Sequence, residues 1–153
     1  MTDRSELLRE LETTWHRDIP LAAAMGIGVQ SYDGAVLAAH APLLPNRNVH
    51  GTAFAGSLFS LCVLTGWGAT WLKFRECGLA GMIVVADSRI QYRKAVTGDL
   101  VCRCAPDPSA LDTGLAQFQS VGRLRLDLNC TIDVGDKRAV SFTGTYVVHA
   151  EKH

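Results

Sequence analysis

Asn46 and His50 stand four positions apart in the segment PLLPNRNVHGT, Pro42 to Thr52, which also carries Asn48 and runs directly into an uncharged stretch. The segment therefore delivers all three side chains to the start of whatever that stretch forms. A histidine changes charge near neutral pH and can act as a donor or a general base. An asparagine can orient a water or a carbonyl. Each also has a plainer reading: Asn46, after Pro45, as a turn residue, and His50 as a loop histidine packed near the helix start. A second acid–base candidate is Asp87, the only acid in the apolar run Met82–Tyr92. Alternation sets Asp87 with Arg89 and Gln91 on a polar face, where a surface ion pair competes with a catalytic role unless a bulge turns it inward. No metal site is expected. The five cysteines (62, 77, 102, 104 and 130) form no CxxC pair, and Cys102 and Cys104 share a strand face without partners. Their odd number argues against a disulfide framework and for free thiols in a reducing cytoplasm.

The element that must position these groups is the uncharged stretch itself, Ala53 to Leu72, twenty residues long. That length meets the minimum for a membrane-crossing helix. A helix apolar all round is equally at home when protein surrounds it. Composition favours the second reading: 153 residues with 48% hydrophobic and 20% charged fit one globular domain. Fifteen basic and fifteen acidic residues cancel, so no global field would draw in nucleic acid. The opening MTDRSELLRELE is charged and amphipathic where a secretory signal would be apolar, so none is expected.

Leu7, Leu8, Leu11 and Trp15 predict a first amphipathic helix over about residues 4–17, with Ser5 as N-cap and Pro20 as a stop. Ile19–Met25 predicts a short second turn. Val29–Tyr32 and Ala35–Ala41 read as strands joined by a two-residue turn at Asp33-Gly34. The long helix ends near Cys77-Gly78, with Lys73 and Arg75 complementing its negative end. Met82–Tyr92 is expected as a strand with Met82, Val84, Ala86, Ser88, Ile90 and Tyr92 on one face. Leu100–Ala105 follows as a strand, then Pro106–Gly122 as a connection without assigned structure. Arg123–Val134 alternates polar and apolar without a break, and Arg138–His149 forms its partner. The count predicts one α+β domain over residues 1–153, an antiparallel sheet wrapped around the long helix. Small residues along that helix (Gly56, Ser57, Ser60, Gly66, Gly68) would let strands approach it, which weighs against a membrane span.

The pieces IPLAAAMGIGV, PLLPNRNVHGTAFAGSLFSL, GWG and IVVADSRIQY, together with YRKAVTGDL, resemble the hotdog fold of acyl-thioester enzymes, and within it the thioesterase family of the YiiD C-terminal domain type. The resemblance implies a hotdog fold and hydrolysis of a coenzyme A or acyl-carrier thioester at the N-terminus of the central helix. It also implies a homodimer whose sheets join, with a dimer of dimers as a larger assembly, and coenzyme A only as part of the substrate, with no separate cofactor. By this resemblance the catalytic candidates are Asn46, His50 and the Gly56 N–H, and Asp87, read from its own strand, is the substitute base. Thr52, Phe54, Ala55, Ser57 and Ser60 would line the substrate, and Arg47, Arg93 and Lys94 would hold coenzyme A phosphates. The helix N-terminus suits the chemistry, because unpaired N–H groups and a positive dipole end can stabilise the oxyanion that forms when water attacks. One departure stands out. Relatives of the phenylacetate type carry a carboxylate nine residues after the histidine, whereas the equivalent positions here are Phe59 or Val63. A non-catalytic acyl-CoA binder and an enoyl-CoA hydratase-type lyase are the alternative functions.

Overall fold

A computed structural model describes residues 3–152. Helix α1 spans Arg4–Asp18 and buries Leu7, Leu11 and Trp15. Its N-cap is Asp3, whose carboxylate accepts from the Ser5 N–H, rather than Ser5 itself. The short helix α2, Pro20–Met25, begins on a proline, whose missing N–H costs nothing at that position, and ends at Gly26 with φ +72°. Strands β1 (Gly28–Tyr32) and β2 (Leu37–Ala41) form a hairpin. The pairing closes at Tyr32 and Leu37, so the connection is Asp33–Val36 and not the expected two-residue turn. The Asp33 carboxylate causes this by accepting from the N–H groups of Ala35 and Val36. A single 3₁₀ turn, Leu44–Asn46, leads to the long helix α3, Ala55–Glu76.

Strands β3 (Met82–Tyr92), β4 (Leu100–Cys104), β5 (Arg123–Val134) and β6 (Lys137–His149) complete one antiparallel sheet in the order β1-β2-β4-β5-β6-β3. Between β4 and β5 the chain forms helix α4, Pro108–Val121, where no element was expected. Its signals are local: Asp107 caps the Ala110 N–H, Pro108 opens the first turn, and Gly122 closes the helix in the left-handed region. Leu111, Gly114 and Phe118 face inward, and the Phe118 ring meets Phe74 edge-on near the C-terminal end of α3.

A β-bulge between Val85 and Asp87 corrects the expected face of β3. Before it, Ile83 and Val85 point inward while Met82 and Val84 are exposed; beyond it, Ser88 and Ile90 point inward. The extra residue inverts the alternation, so Met82 and Val84 do not share a face with Ile90 and Tyr92. Asp87 stays on the outer face.

Helix α3 is long and apolar enough to cross a membrane, and 61% of its most apolar window is buried within the protein. Two of its glycines explain how neighbours close in. A Cβ at Gly66 would stand 2.3 Å from the Tyr146 hydroxyl, and one at Gly68 would stand 2.7 Å from the Trp15 ring. The sheet and α1 thus grip the helix from different sides, which removes its charge-free surface from water.

Cys62, Cys102, Cys104 and Cys130 are buried between α3 and the sheet, with Cys62 and Cys102 sulfurs 3.8 Å apart, while Cys77 is exposed. The Cys102 contact and burial push the Cys62 thiol up, away from the reactive thiolate. A thiol-exchange reagent added to native protein is therefore expected to titrate only Cys77, and all five cysteines after unfolding. Rapid release from a second native thiol would contradict this packing.

Candidate active site at the start of the central helix

Asn46 is the residue on which the site is assembled. It is 1% exposed, yet it lies in a loop. Its side-chain amide donates to the Met25 carbonyl (2.9 Å), at the C-terminal end of α2, and to the Pro42 carbonyl (2.7 Å). Its own backbone carbonyl accepts from the Phe54 N–H at 2.7 Å, at the N-cap of α3. Two carbonyl neighbours fix the orientation of the amide, because the reverse flip would set oxygen against oxygen. The remaining Oδ1 is buried without a partner among the described residues. Met25 O is one of the carbonyls that a helix end leaves unpaired, so Asn46 caps α2 while it anchors the start of α3.

The first turn of α3 has no side-chain cap. Ser57 and Leu58 N–H bond to the Phe54 carbonyl, whereas the N–H groups of Ala55 and Gly56 have no acceptor among the described residues. Two concavities flank this turn. One, of about 380 Å³, is mostly apolar: Leu21, Ala24 and Met25 of α2, Pro45, Asn46, Phe54, Gly56, Ser57 and Ser60 line it. The other, about 340 Å³, lies between Asn48, Thr52, Ala53, Ala55 and Leu58 on one side and Tyr92–Val96 on the other. The Tyr92 hydroxyl donates to the Ala55 carbonyl across it at 2.9 Å. The loop keeps its shape through Asn48, whose Oδ1 accepts from the N–H groups of His50 and Thr52 and whose amide donates to the Thr52 hydroxyl.

A family model described as putative thioesterase (yiiD_Cterm) matches residues 8–150. The chain belongs to this family. Similar solved structures include a protein of unknown function from Chlorobaculum tepidum, at 30% identity and TM-score 0.91, covering 96% of each chain. Another is a putative thioesterase from Shewanella oneidensis, at 34% identity and TM-score 0.84, covering 95% of this chain and 98% of that one. The fold is also shared with a thioesterase from Haemophilus influenzae, at 17% identity and TM-score 0.74, covering 95% and 93%. The architecture is therefore the hotdog fold of this thioesterase family.

Within that family frame, the expected residues divide into groups. Asn46, Phe54, Gly56, Ser57 and Ser60 come together at the apolar pocket. Thr52, Ala55, Arg93 and Lys94 come together at the second cleft. Arg47 lies apart from the other two cations, in an open groove with Asn48, Val49 and Phe54. His50 is exposed and lines neither concavity of its own chain. Asp87 is also remote from both: it is exposed on the outer face of β3, paired across from Thr145, and its carboxylate accepts from the Ser88 N–H. Ser60 donates to the Gly56 carbonyl, four residues back. Gly56 also has a packing role, because a Cβ there would sit 2.4 Å from the Phe54 ring. No titratable side chain lines the apolar pocket. Tyr92 and the α2 residues Leu21, Ala24 and Met25 belong to the site but were not expected there; only the aromatic at the end of the β3 pattern hinted at any of them.

Proposed function

We propose that this chain hydrolyses an acyl thioester whose carbonyl oxygen is held by the free N–H groups of Ala55 and Gly56. The observation that carries this reading is the uncapped first turn of α3, whose Gly56 lines the apolar pocket beside Asn46 and whose Ala55 lines the adjoining cleft with Arg93 and Lys94. The donors suit an oxygen that becomes negative as the tetrahedral intermediate forms. Asn46 Oδ1 can only accept and is closed off from solvent, so the part of Asn46 in this reading is to hold the loop and the first turn of α3 in place, not to bind the attacking water. Nor does Asn46 bind the substrate carbonyl, because its amide hydrogens are engaged by Met25 O and Pro42 O. In this reading the acyl group fills the apolar pocket, and the phosphate-bearing arm of coenzyme A or a carrier protein meets Arg93 and Lys94. The working form is a homodimer in a reducing cytoplasm, paired through the free edge of β3. His50 and Asp87 receive no role in the chemistry.

A panel of acyl-CoA and acyl-carrier thioesters of increasing chain length, followed by thiol release, tests this directly. Turnover on at least one class is expected, and none on any would overturn the reading. The absence of a titratable group in the apolar pocket favours one second reading, a non-catalytic acyl-CoA binder. That reading expects coenzyme A thioesters to raise the melting temperature and emerge intact.

A further inference from the structure

We propose that the acyl group taken by this site carries a neutral oxygen close to the thioester carbonyl, a hydroxyl or an oxo group on its third carbon, and that the Ser57 hydroxyl selects for it. This rests on the thioester reading above and adds the class of acyl group. Ser57 is 9% exposed and lines the apolar pocket. Every other serine and threonine of α3 is satisfied within the helix: Ser60 donates to the Gly56 carbonyl, Thr65 to that of Leu61 and Thr70 to that of Gly66. The equivalent acceptor for Ser57 would be the Ala53 carbonyl, which receives the Asn48 amide instead, at 3.4 Å. The Ser57 hydroxyl bonds to nothing among the described residues, and unlike Asn46 Oδ1 it is not sealed from the surface.

A hydroxyl left unpaired in an apolar pocket costs free energy until a ligand atom completes it. Its position says which atom that is. Ser57 directly follows Gly56, whose free N–H is one of the two that receive the carbonyl oxygen in the reading above, and successive Cα atoms stand about 3.8 Å apart. The Ser57 hydroxyl therefore meets the first few carbons of the acyl chain, while the apolar remainder runs past Leu21, Ala24 and Met25. The oxygen it meets is neutral, because no cation lines the pocket and an acyl carboxylate would lie there without a counter-ion. A serine hydroxyl can donate to an oxo group, and can donate to or accept from a hydroxyl. Such a site discriminates against a ligand that lacks the partner, since its own polar atom is then left unpaired.

Matched coenzyme A thioesters test this: plain, 3-hydroxy and 3-oxo members of a butanoyl and an octanoyl series, with non-hydrolysable thioether analogues of each for binding. The wild-type chain is expected to favour at least one oxygenated member over the plain one about tenfold, in kcat/KM and in Kd. Ser57→Ala should remove that preference by weakening the oxygenated member. Ser60→Ala deletes a hydroxyl already committed to the Gly56 carbonyl and should keep it. The better of the two oxygenated members tells a hydroxyl ligand from an oxo ligand. Equal kcat/KM and Kd for all three members in the wild type overturns the proposal, as does failure of every analogue to bind. So does a Ser57→Ala chain that slows all three equally, because the hydroxyl then acts at the reacting centre. A preference in Kd with no thioester turned over sinks the hydrolytic reading instead and leaves the acyl class standing.

Discussion

Asn46→Asp is expected to unfold more easily as pH rises from about 4 to 7, whereas Asn46→Ala is expected to lose about 2–4 kcal/mol at every pH in that range. Both follow from the two carbonyls that receive the Asn46 amide. Alanine removes both donors and leaves Met25 O and Pro42 O without their buried partner. Aspartate keeps the size. When protonated, its single O–H can satisfy one of the two carbonyls; when ionised, it faces both with negative charge in a site 1% exposed. Burial and those carbonyls raise the folded-state pKa above the unfolded value of about 3.9. A raised acid pKa means the neutral form is favoured by folding. The aspartate variant is therefore most stable below the unfolded pKa and loses stability as pH climbs through the folded one, by about 1.4 kcal/mol per unit of separation. Urea titrations at several pH values would show it. A stability profile parallel to that of Asn46→Ala would mean the oxygen is not confronting carbonyls at all.

Gly66→Ala should cost about 2–4 kcal/mol, although alanine is the better helix former by about 1 kcal/mol. The new methyl would stand 2.3 Å from the Tyr146 hydroxyl and 2.6 Å from the adjoining ring carbon. Tyr146 is fully buried and its hydroxyl donates to the Val63 carbonyl at 2.7 Å, so the ring has little room to retreat. Tyr146→Phe alone should cost only about 1 kcal/mol, the worth of one hydrogen bond. The double variant should recover only part of the Gly66→Ala loss, because the ring carbons remain close. Thermal or denaturant unfolding of the four chains decides this. Full recovery in the double variant would place the clash on the oxygen only.

These two positions also show where the sequence is readable and where it is not. The long apolar helix, its small residues and the unbroken alternation of β5 follow from period alone, because burial leaves a regular imprint on a regular element. The bulge at Ala86 does not, since Val84, Val85 and Ala86 suit either face and only the pairing with β6 selects one. Helix α4 carried its own capping signals at Asp107, Pro108 and Gly122. Thr113 and Gly114 inside it are weak helix formers, and the segment read as a connection. At the site, residues contiguous in the chain, from Asn46 to Ser60, could be grouped from sequence. Leu21, Ala24, Met25 and Tyr92 arrive from remote elements and could not. Nor could the hydrogen-bond roles of Asn46 be assigned, because which of its atoms is free depends on which two carbonyls fold over the other.

The bond from Tyr92 to the first carbonyl of α3 joins the last residue of the free sheet edge to the first residue of the helix that offers the N–H groups. One end of that link belongs to the proposed assembly and the other to the proposed chemistry. The catalytic turn is then braced by a strand whose own partner comes from solution. Specific activity should therefore depend on how concentrated the enzyme is, falling on dilution past the dissociation constant and returning on concentration. A cell could set the output of such an enzyme through its abundance more steeply than in simple proportion.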